Sequence, residues 1–362
     1  MKLHQIIPVL LALLLIAGCT SEQSSNSEPI SIGILFHLTG PAAFWGVGEY
    51  NAAQLALEEI NAAGGVNGRP LGFVVEDGKT DFIQVTTALK KLITIDKLPI
   101  IIGPTWFGQA AAPLAEESKT TILSPSTGVT VSRETYFFNL WPTERQEIIP
   151  LVTFMKQKGH LKIAVVYSQN DWSLSMKNNF ADEAAKNGLT IVKEFATSPD
   201  EIDFKTLITS IKELPVDAVY APFAFYPSQG AFSKQAKELN LVLPLYSSSG
   251  TENPELLHAF PAVDGTIYPY PLRGPKEDAF VKRYEARYNV SAAPSAAYAY
   301  DAVLLVAEAL RSEAHTSEDF AKYLENVQAY PGVTNSITFD NGRVTHKEHI
   351  LKIVKDGTFL AL

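Results

Sequence analysis

The run Ile60-Asn61-Ala62-Ala63-Gly64-Gly65-Val66-Asn67-Gly68-Arg69-Pro70 joins two segments of different period. Before it, Glu49 to Ala63 repeats apolar residues at helical spacing, with Tyr50, Ala53, Leu57 and Ile60 on one face. After it, Leu71 to Val75 is a short apolar run of strand length. Gly64 and Gly65 end the helix, because a residue without Cβ enters positive φ at no steric cost. Upstream, Ile32 to Phe36 is another buried-strand run, so the unit reads strand, helix, turn, strand. A helix between two strands is the crossover that parallel pairing requires.

The same alternation extends down the chain. Asp81 to Asp96 reads as a helix, Pro99 to Ile102 as a strand, Gln109 to Ser118 as a helix and Thr121 to Leu123 as a strand. It restarts with strands at Ile163 to Tyr167, Thr190 to Phe195, Ala218 to Ala221 and Leu245 to Ser247. The helices between them are Leu174 to Asn187, Phe204 to Glu213 and Gly230 to Asn240, with later helices at Lys276 to Tyr288 and Ala297 to Arg311. Two runs of this kind predict an α/β protein of two doubly wound parallel-sheet lobes, as does a length of 362 residues. Ligands of such sheets bind beyond the carboxyl ends of the strands. The informative loops are therefore His37 to Gly46, Gly103 to Gly108, Ser124 to Gly128, Ser168 to Ser173, Pro222 to Ser228 and Ser247 to Thr251.

The net charge of −9 gives no basic face for nucleic acid. A single cysteine excludes an intrachain disulfide and any Cys-rich metal site. No Gly-x-Ser-x-Gly, phosphate loop or His-Glu-x-x-His occurs, and the acidic pairs Glu58-Glu59 and Glu116-Glu117 read as solvated helix faces, so no enzyme, metal or cofactor is expected. His346 and His349 stand three apart on an expected strand and so point to opposite faces, which argues against a shared metal.

The one cysteine, Cys19, has a position of its own. Lys2 and the apolar Ile6 to Ile16 are followed by Ala17, Gly18 and Cys19, a run too short to span a bilayer but right for an export signal. Ile16-Ala17-Gly18-Cys19 resembles the bacterial lipobox. That resemblance implies cleavage after residue 18, acylation of Cys19, and a polar tether over residues 19–29 that holds a soluble body on an extracytoplasmic membrane face.

Further pieces carry a wider resemblance. Leu38-Thr39-Gly40-Pro41, the quoted 60–70 run, Glu76-Asp77, Ile101-Ile102-Gly103-Pro104, Ser124-Pro125-Ser126, Asp203-Phe204, Tyr300-Asp301-Ala302-Val303 and Phe339-Asp340-Asn341-Gly342 recur in this order. Together they resemble the branched-chain-amino-acid-type (Leu/Ile/Val-binding) solute receptors of bacterial ABC importers. The resemblance implies the type I periplasmic binding fold: two lobes joined by a three-crossover hinge that closes on solute. It puts residues 30–142 plus 270–332 in one lobe and 143–269 plus 333–362 in the other. It also implies a permease and ATPase complex as partner, and a monomer.

In that family a Ser after the third strand and hydroxyls after the fourth hold the solute carboxylate, and an acid from the other lobe takes the ammonium. Here Thr105-Trp106-Phe107 puts Phe107 at the place of the Ser, Ser126, Thr127 and Gly128 form the donor loop, and Ser249 stands where the acid is expected. Glu252 is close by, out of register. Aromatics fill the loops instead: Phe44, Trp45, Trp106, Phe107, Trp172, Phe225 and Tyr226, while Trp141 lies near a crossover and reads as structural. The expected solute is apolar or aromatic, with a carboxylate or amide end. A branched-chain amino acid and a module that signals to a partner receptor are the alternatives.

Overall fold

The computed structural model describes residues 28–127, 136–340 and 343–362. The export signal, Cys19 and Gly128 lie outside the described residues, as does most of the tether. The first sheet is β1 (Ile30–Phe36), β2 (Leu71–Asp77), β3 (Ile100–Ile102), β4 (Thr121–Ser124) and β5 (Phe137–Asn139), in the order β2-β1-β3-β4-β5, all parallel. Between them run α1 (Ala43–Ala62), α2 (Phe82–Thr94) and α3 (Gly108–Ser118). The chain then enters α4 (Glu144–Gln157) and a second sheet built on β6 (Lys162–Ser168), β7 (Thr190–Thr197), β8 (Ala218–Tyr220), β9 (Leu245–Tyr246) and β10 (Ile267–Pro271). Its helices are α5 (Asp171–Asn187), α6 (Lys205–Lys212), α7 (Tyr226–Glu238) and the short α8 (Pro254–Ala259). The chain returns to the first lobe with α9 (Pro275–Tyr288), α10 (Ala296–Arg311), α11 (Ser317–Glu325) and the hairpin β11 (Tyr330–Gly332) and β12 (Asn335–Ile337). It ends in β13 (His349–Lys355), antiparallel to β10, and β14 (Thr358–Ala361), antiparallel to β13 at the edge of the second sheet. The order there is β14-β13-β10-β9-β8-β6-β7.

Strand alternation explains the layering. Ile34 and Phe36 face α1 and α10, while Leu35 between them faces α2 and α3. Ile100 and Ile102 join the first of these cores and Ile101 the second. In the other lobe Ile163 and Val165 pack on α4 and α5, and Ala164 and Val166 on α6 and α7. Both sheets are thus covered on both faces, the reason their strands read as continuous apolar runs. The 60–70 turn is fixed from two sides. Asn61 accepts from Leu71 N at 2.8 Å and donates to Leu71 O at 3.0 Å. Gly65, at φ +77°, lies so close to Arg69 that a Cβ would sit 2.1 Å from its carbonyl oxygen.

The lobe boundaries differ from those read in the sequence. β10 runs through Pro271, so the crossover follows that residue rather than residue 269. Val333, Thr334 and Phe339 pack on the first lobe: Val333 and Thr334 donate to Asp301, and Phe339 packs edge-on against Phe138. Val344 bridges Asn139 of β5, and Lys347 N donates to Gln146 Oε1 of α4 at 3.0 Å. β5 and α4 were passed over in the sequence, and β13 and β14 make the second sheet mixed rather than wholly parallel. None of the described helices is long and apolar enough to cross a membrane.

Candidate functional site

Residues that follow the strands of the two sheets face one another across a cleft. Two cavities of about 370 and 420 Å³ open into it, and a void of about 20 Å³ shares walls with both. Aromatics read as loop residues sit at helix N-termini: Trp45 in the first turn of α1, Trp172 in that of α5, Phe225 as the residue before α7 and Tyr226 as its first. A helix that starts directly after a strand turns its first residues into the cleft, which is why strand-end position picked them out.

Trp45, Trp106, Trp141 and Trp172, all the tryptophans of the chain, line the small void. Trp45 stands edge-on to Trp106 at 5.5 Å and to Trp141 at 6.0 Å. Trp106 meets Phe225 across the cleft at 6.2 Å. Trp141, expected to be structural, does both jobs, since it also packs on Tyr298 at 4.9 Å. Trp106 holds φ +60°, a left-handed conformation costly for a bulky side chain and characteristic of functional sites.

Ser126 and Thr127 line the void, and Phe107 lines the 370 Å³ cavity beside Trp106, Trp172 and Phe225. The Thr127 hydroxyl is committed to Asn139 Oδ1. Thr105 is not on the wall. It is fully buried, receives His37 N at 3.3 Å and donates to the Glu49 carboxylate. Ser295 donates to the same carboxylate at 2.6 Å, and Ser126 Oγ lies near it without completing a hydrogen bond. Burial pushes Glu49 up to about 7, partly offset by those hydroxyls.

The acids of the cleft come from the first turn of α4. Glu144 is the first residue of α4 and Glu147 lies one turn on, 4% and 3% exposed, and both line the void. Glu147 Oε1 accepts from Ser249 N at 2.6 Å and Oε2 from Ser249 Oγ at 2.9 Å. Ser249 is therefore where expected, but as a support for an acid rather than its replacement. Glu144 Oε1 is buried without a hydrogen-bond partner. Burial raises Glu144 to about 8, and Glu147 nearby adds to it; burial raises Glu147 to about 7 against the two Ser249 donors. Glu252 points elsewhere, paired with Lys352 and Tyr268 inside the second lobe. The signal for α4 was present: Thr143-x-x-Gln146 is a capping pattern, Thr143 accepts from Gln146 N at 3.3 Å, and residues three apart share a helix face. Among the described residues lining the three cavities there is no Lys or Arg.

A family model described as a periplasmic binding protein matches residues 29–358. The chain belongs to the periplasmic binding protein family. The leucine-specific-binding protein of Salmonella typhimurium is 25% identical over 331 residues, which cover 86% of this chain and 88% of that one. Among solved structures, the branched-chain amino acid substrate-binding protein LivJ of Streptococcus pneumoniae, in complex with isoleucine, superposes with a TM-score of 0.82 at 24% identity over 92% of this chain and 99% of its own. A solute-binding protein of R. palustris in complex with benzoate gives a TM-score of 0.81 at 21% identity, covering 92% of this chain and 96% of that one. The sequence resemblance and the two-lobed α/β fold expected from it are borne out by these matches. The family is one of binding proteins.

Proposed function

We propose that the protein is an extracytoplasmic solute receptor of an ABC importer, which captures a small organic solute with an apolar or aromatic body between its lobes and releases it unchanged. The observation that carries this reading is the aromatic cleft at the carboxyl ends of two facing sheets, the place where open α/β sheets bind ligands. Trp45, Trp106, Phe107, Trp172, Phe225 and Tyr226 form the walls, with Ser126, Thr127 and Ser249 as the polar floor. Thr105 acts at one remove, by holding Glu49. Walls drawn from both lobes make the closed form the one with the larger solute contact, so solute shifts the hinge toward closure. One lobe is residues 30–139 with 275–344, the other 144–271 with 349–362. The body works as a monomer, anchored through acylated Cys19.

The test is a thermal-shift panel of amino acids, amines, aromatic acids and amides on the purified protein. A true solute at about 100 times its Kd should stabilise the fold by about 2.7 kcal/mol. Trp172→Ala should abolish that shift; an unchanged shift would remove the cleft from the reading. Replacing Cys19 by Ser should release the protein from the membrane fraction.

A further inference from the structure

We propose that the solute is a primary ammonium cation on an apolar body, its head held between Glu144 and Glu147 inside the tryptophan box. This rests on the cleft being the solute site, and it names the class of solute.

Four observations carry it. The first is the unpartnered acceptor. Glu144 is almost wholly buried, lines two of the cavities, and its Oε1 receives no hydrogen bond. A buried carboxylate oxygen without a donor is costly, and a donor arriving with the solute removes that cost. The second is charge. Glu144, Glu147, Asp200 and Glu255 line the cleft, and the described lining residues include no cation. Arg145, next to Glu144 in sequence, is exposed and turns to Glu183 at 3.8 Å. A carboxylate solute entering this cleft would meet repulsion with no counter-charge among the described lining residues, whereas a cation meets complementary charge. The third is the tryptophan box, whose ring electrons attract a cation. The fourth is size. A space of about 20 Å³ admits one group of water size, which an ammonium is and a trimethylammonium is not. The adjoining 370 Å³ cavity, walled by Trp106, Phe107, Trp172 and Phe225, takes the apolar body.

The three N–H donors of an ammonium suit this arrangement. Glu147 has spent one lone pair of each oxygen on Ser249 and keeps the others, and Glu144 offers a free oxygen. Ser249 thereby fixes Glu147 in place for the cation, and the head group would bridge the first lobe's tryptophans to the second lobe's acids.

Calorimetric titration of the purified protein at pH 8 tests this with five probes: phenethylammonium, phenethyl alcohol, choline, leucine and benzoate. Phenethylammonium should bind tightest, and Glu144→Gln and Glu147→Gln should each weaken it by about tenfold or more while leaving phenethyl alcohol unchanged. Thermal melting of the two Gln variants confirms folding, since Gln keeps the shape and removes only the charge. Benzoate or leucine binding tightest overturns the proposal, as does phenethylammonium affinity unchanged in both Gln variants, or no saturable ammonium binding at millimolar concentration. Trp172→Ala separates the two levels. If benzoate or leucine binds and the variant loses it, the cleft stands as the site and only the solute class fails. If every probe binds the variant as well as the parent protein, the cleft itself is the wrong site.

Discussion

Ser249 gives Glu147 both of its donors, the backbone N–H at 2.6 Å and the hydroxyl at 2.9 Å, across 102 positions of sequence. This pair ties the loop after β9 to the first turn of α4, at the point where the chain crosses between lobes. Ser249→Ala removes one donor and leaves the other. Hydrogen bonds to a charged group contribute about 1.5–3 kcal/mol and neutral ones about 1. The variant should therefore lose about 1.5–3 kcal/mol at pH 8, where Glu147 is mostly ionised, and about 1 kcal/mol at pH 5, where it is protonated. Urea denaturation at the two pH values measures the difference. An equal loss at both would mean that the hydroxyl does not act on the carboxylate.

Stability should fall as pH rises from 6.5 to 8. Glu49, Glu147 and Glu277 are raised to about 7 and Glu144 to about 8, in each case first by burial. A carboxyl with a higher pKa folded than unfolded binds more protons in the folded chain throughout the interval between the two values, so raising the pH across that interval costs stability. Buried His37 and His349 act the other way. Burial lowers both to about 4, so the unfolded chain binds their protons more readily, and stability rises with pH up to about 6.5. Four carboxyls outweigh two histidines, so stability declines gently up to about pH 6.5 and more steeply above it, where the carboxyl effect acts alone. Guanidinium melts at pH 6.5 and 8 read the decline, and Glu144→Gln should make it shallower. A stability that climbs through this range would contradict the buried state of these acids.

The turn that identifies the fold offers a matched pair of substitutions. Gly64 and Gly65 both have positive φ, +100° and +77°. A Cβ at Gly64 meets nothing within 4 Å, whereas one at Gly65 would lie 2.1 Å from the Arg69 carbonyl oxygen. Gly64→Ala should cost about 1–2 kcal/mol, the left-handed penalty alone. Gly65→Ala carries the same penalty and also forces the 65–70 turn apart, so it should cost clearly more. Equal losses by equilibrium denaturation would show that the turn relaxes freely.

These positions also show what could be read in the sequence and why. The sheets were legible because strands buried on both faces are unbroken apolar runs, as in Ile32 to Phe36 and Ile163 to Tyr167, and because glycine punctuation at 64–65 has one physical use. Trp45, Trp106, Phe107, Trp172 and Phe225 were legible because strand ends define the cleft in this class of fold. Glu144 and Glu147 were not. They lie after a crossover, on a helix interrupted by Pro150 whose surface and buried faces both carry charge, so its pattern is weak. Register points to Ser249 as the place of the acid, but register cannot reveal a hydrogen-bond partner 102 positions away. Thr105 follows a strand, as the wall residues do, but the buried Glu49 across the core draws its hydroxyl inward.

Trp106 should trade stability against binding. At φ +60° its backbone sits where a non-glycine residue pays about 1–2 kcal/mol, and Asn tolerates that region better than any large aromatic. The side chain is only partly buried, and its ring contacts are Trp45 at 5.5 Å and Phe225 at 6.2 Å, on opposite sides of the cleft. Trp106→Asn relieves the backbone and gives up those two contacts, each a matter of about 0.5–1.5 kcal/mol. The two effects nearly cancel, so the melting temperature of the solute-free protein should move by only a few degrees. Solute binding has no such compensation, since the ring lines all three cavities. Affinity for the best solute of the thermal-shift panel should drop by about tenfold or more, which calorimetry can read directly. A variant that melts much lower and binds as before would make Trp106 a packing residue and leave its strained backbone without a role in the cleft.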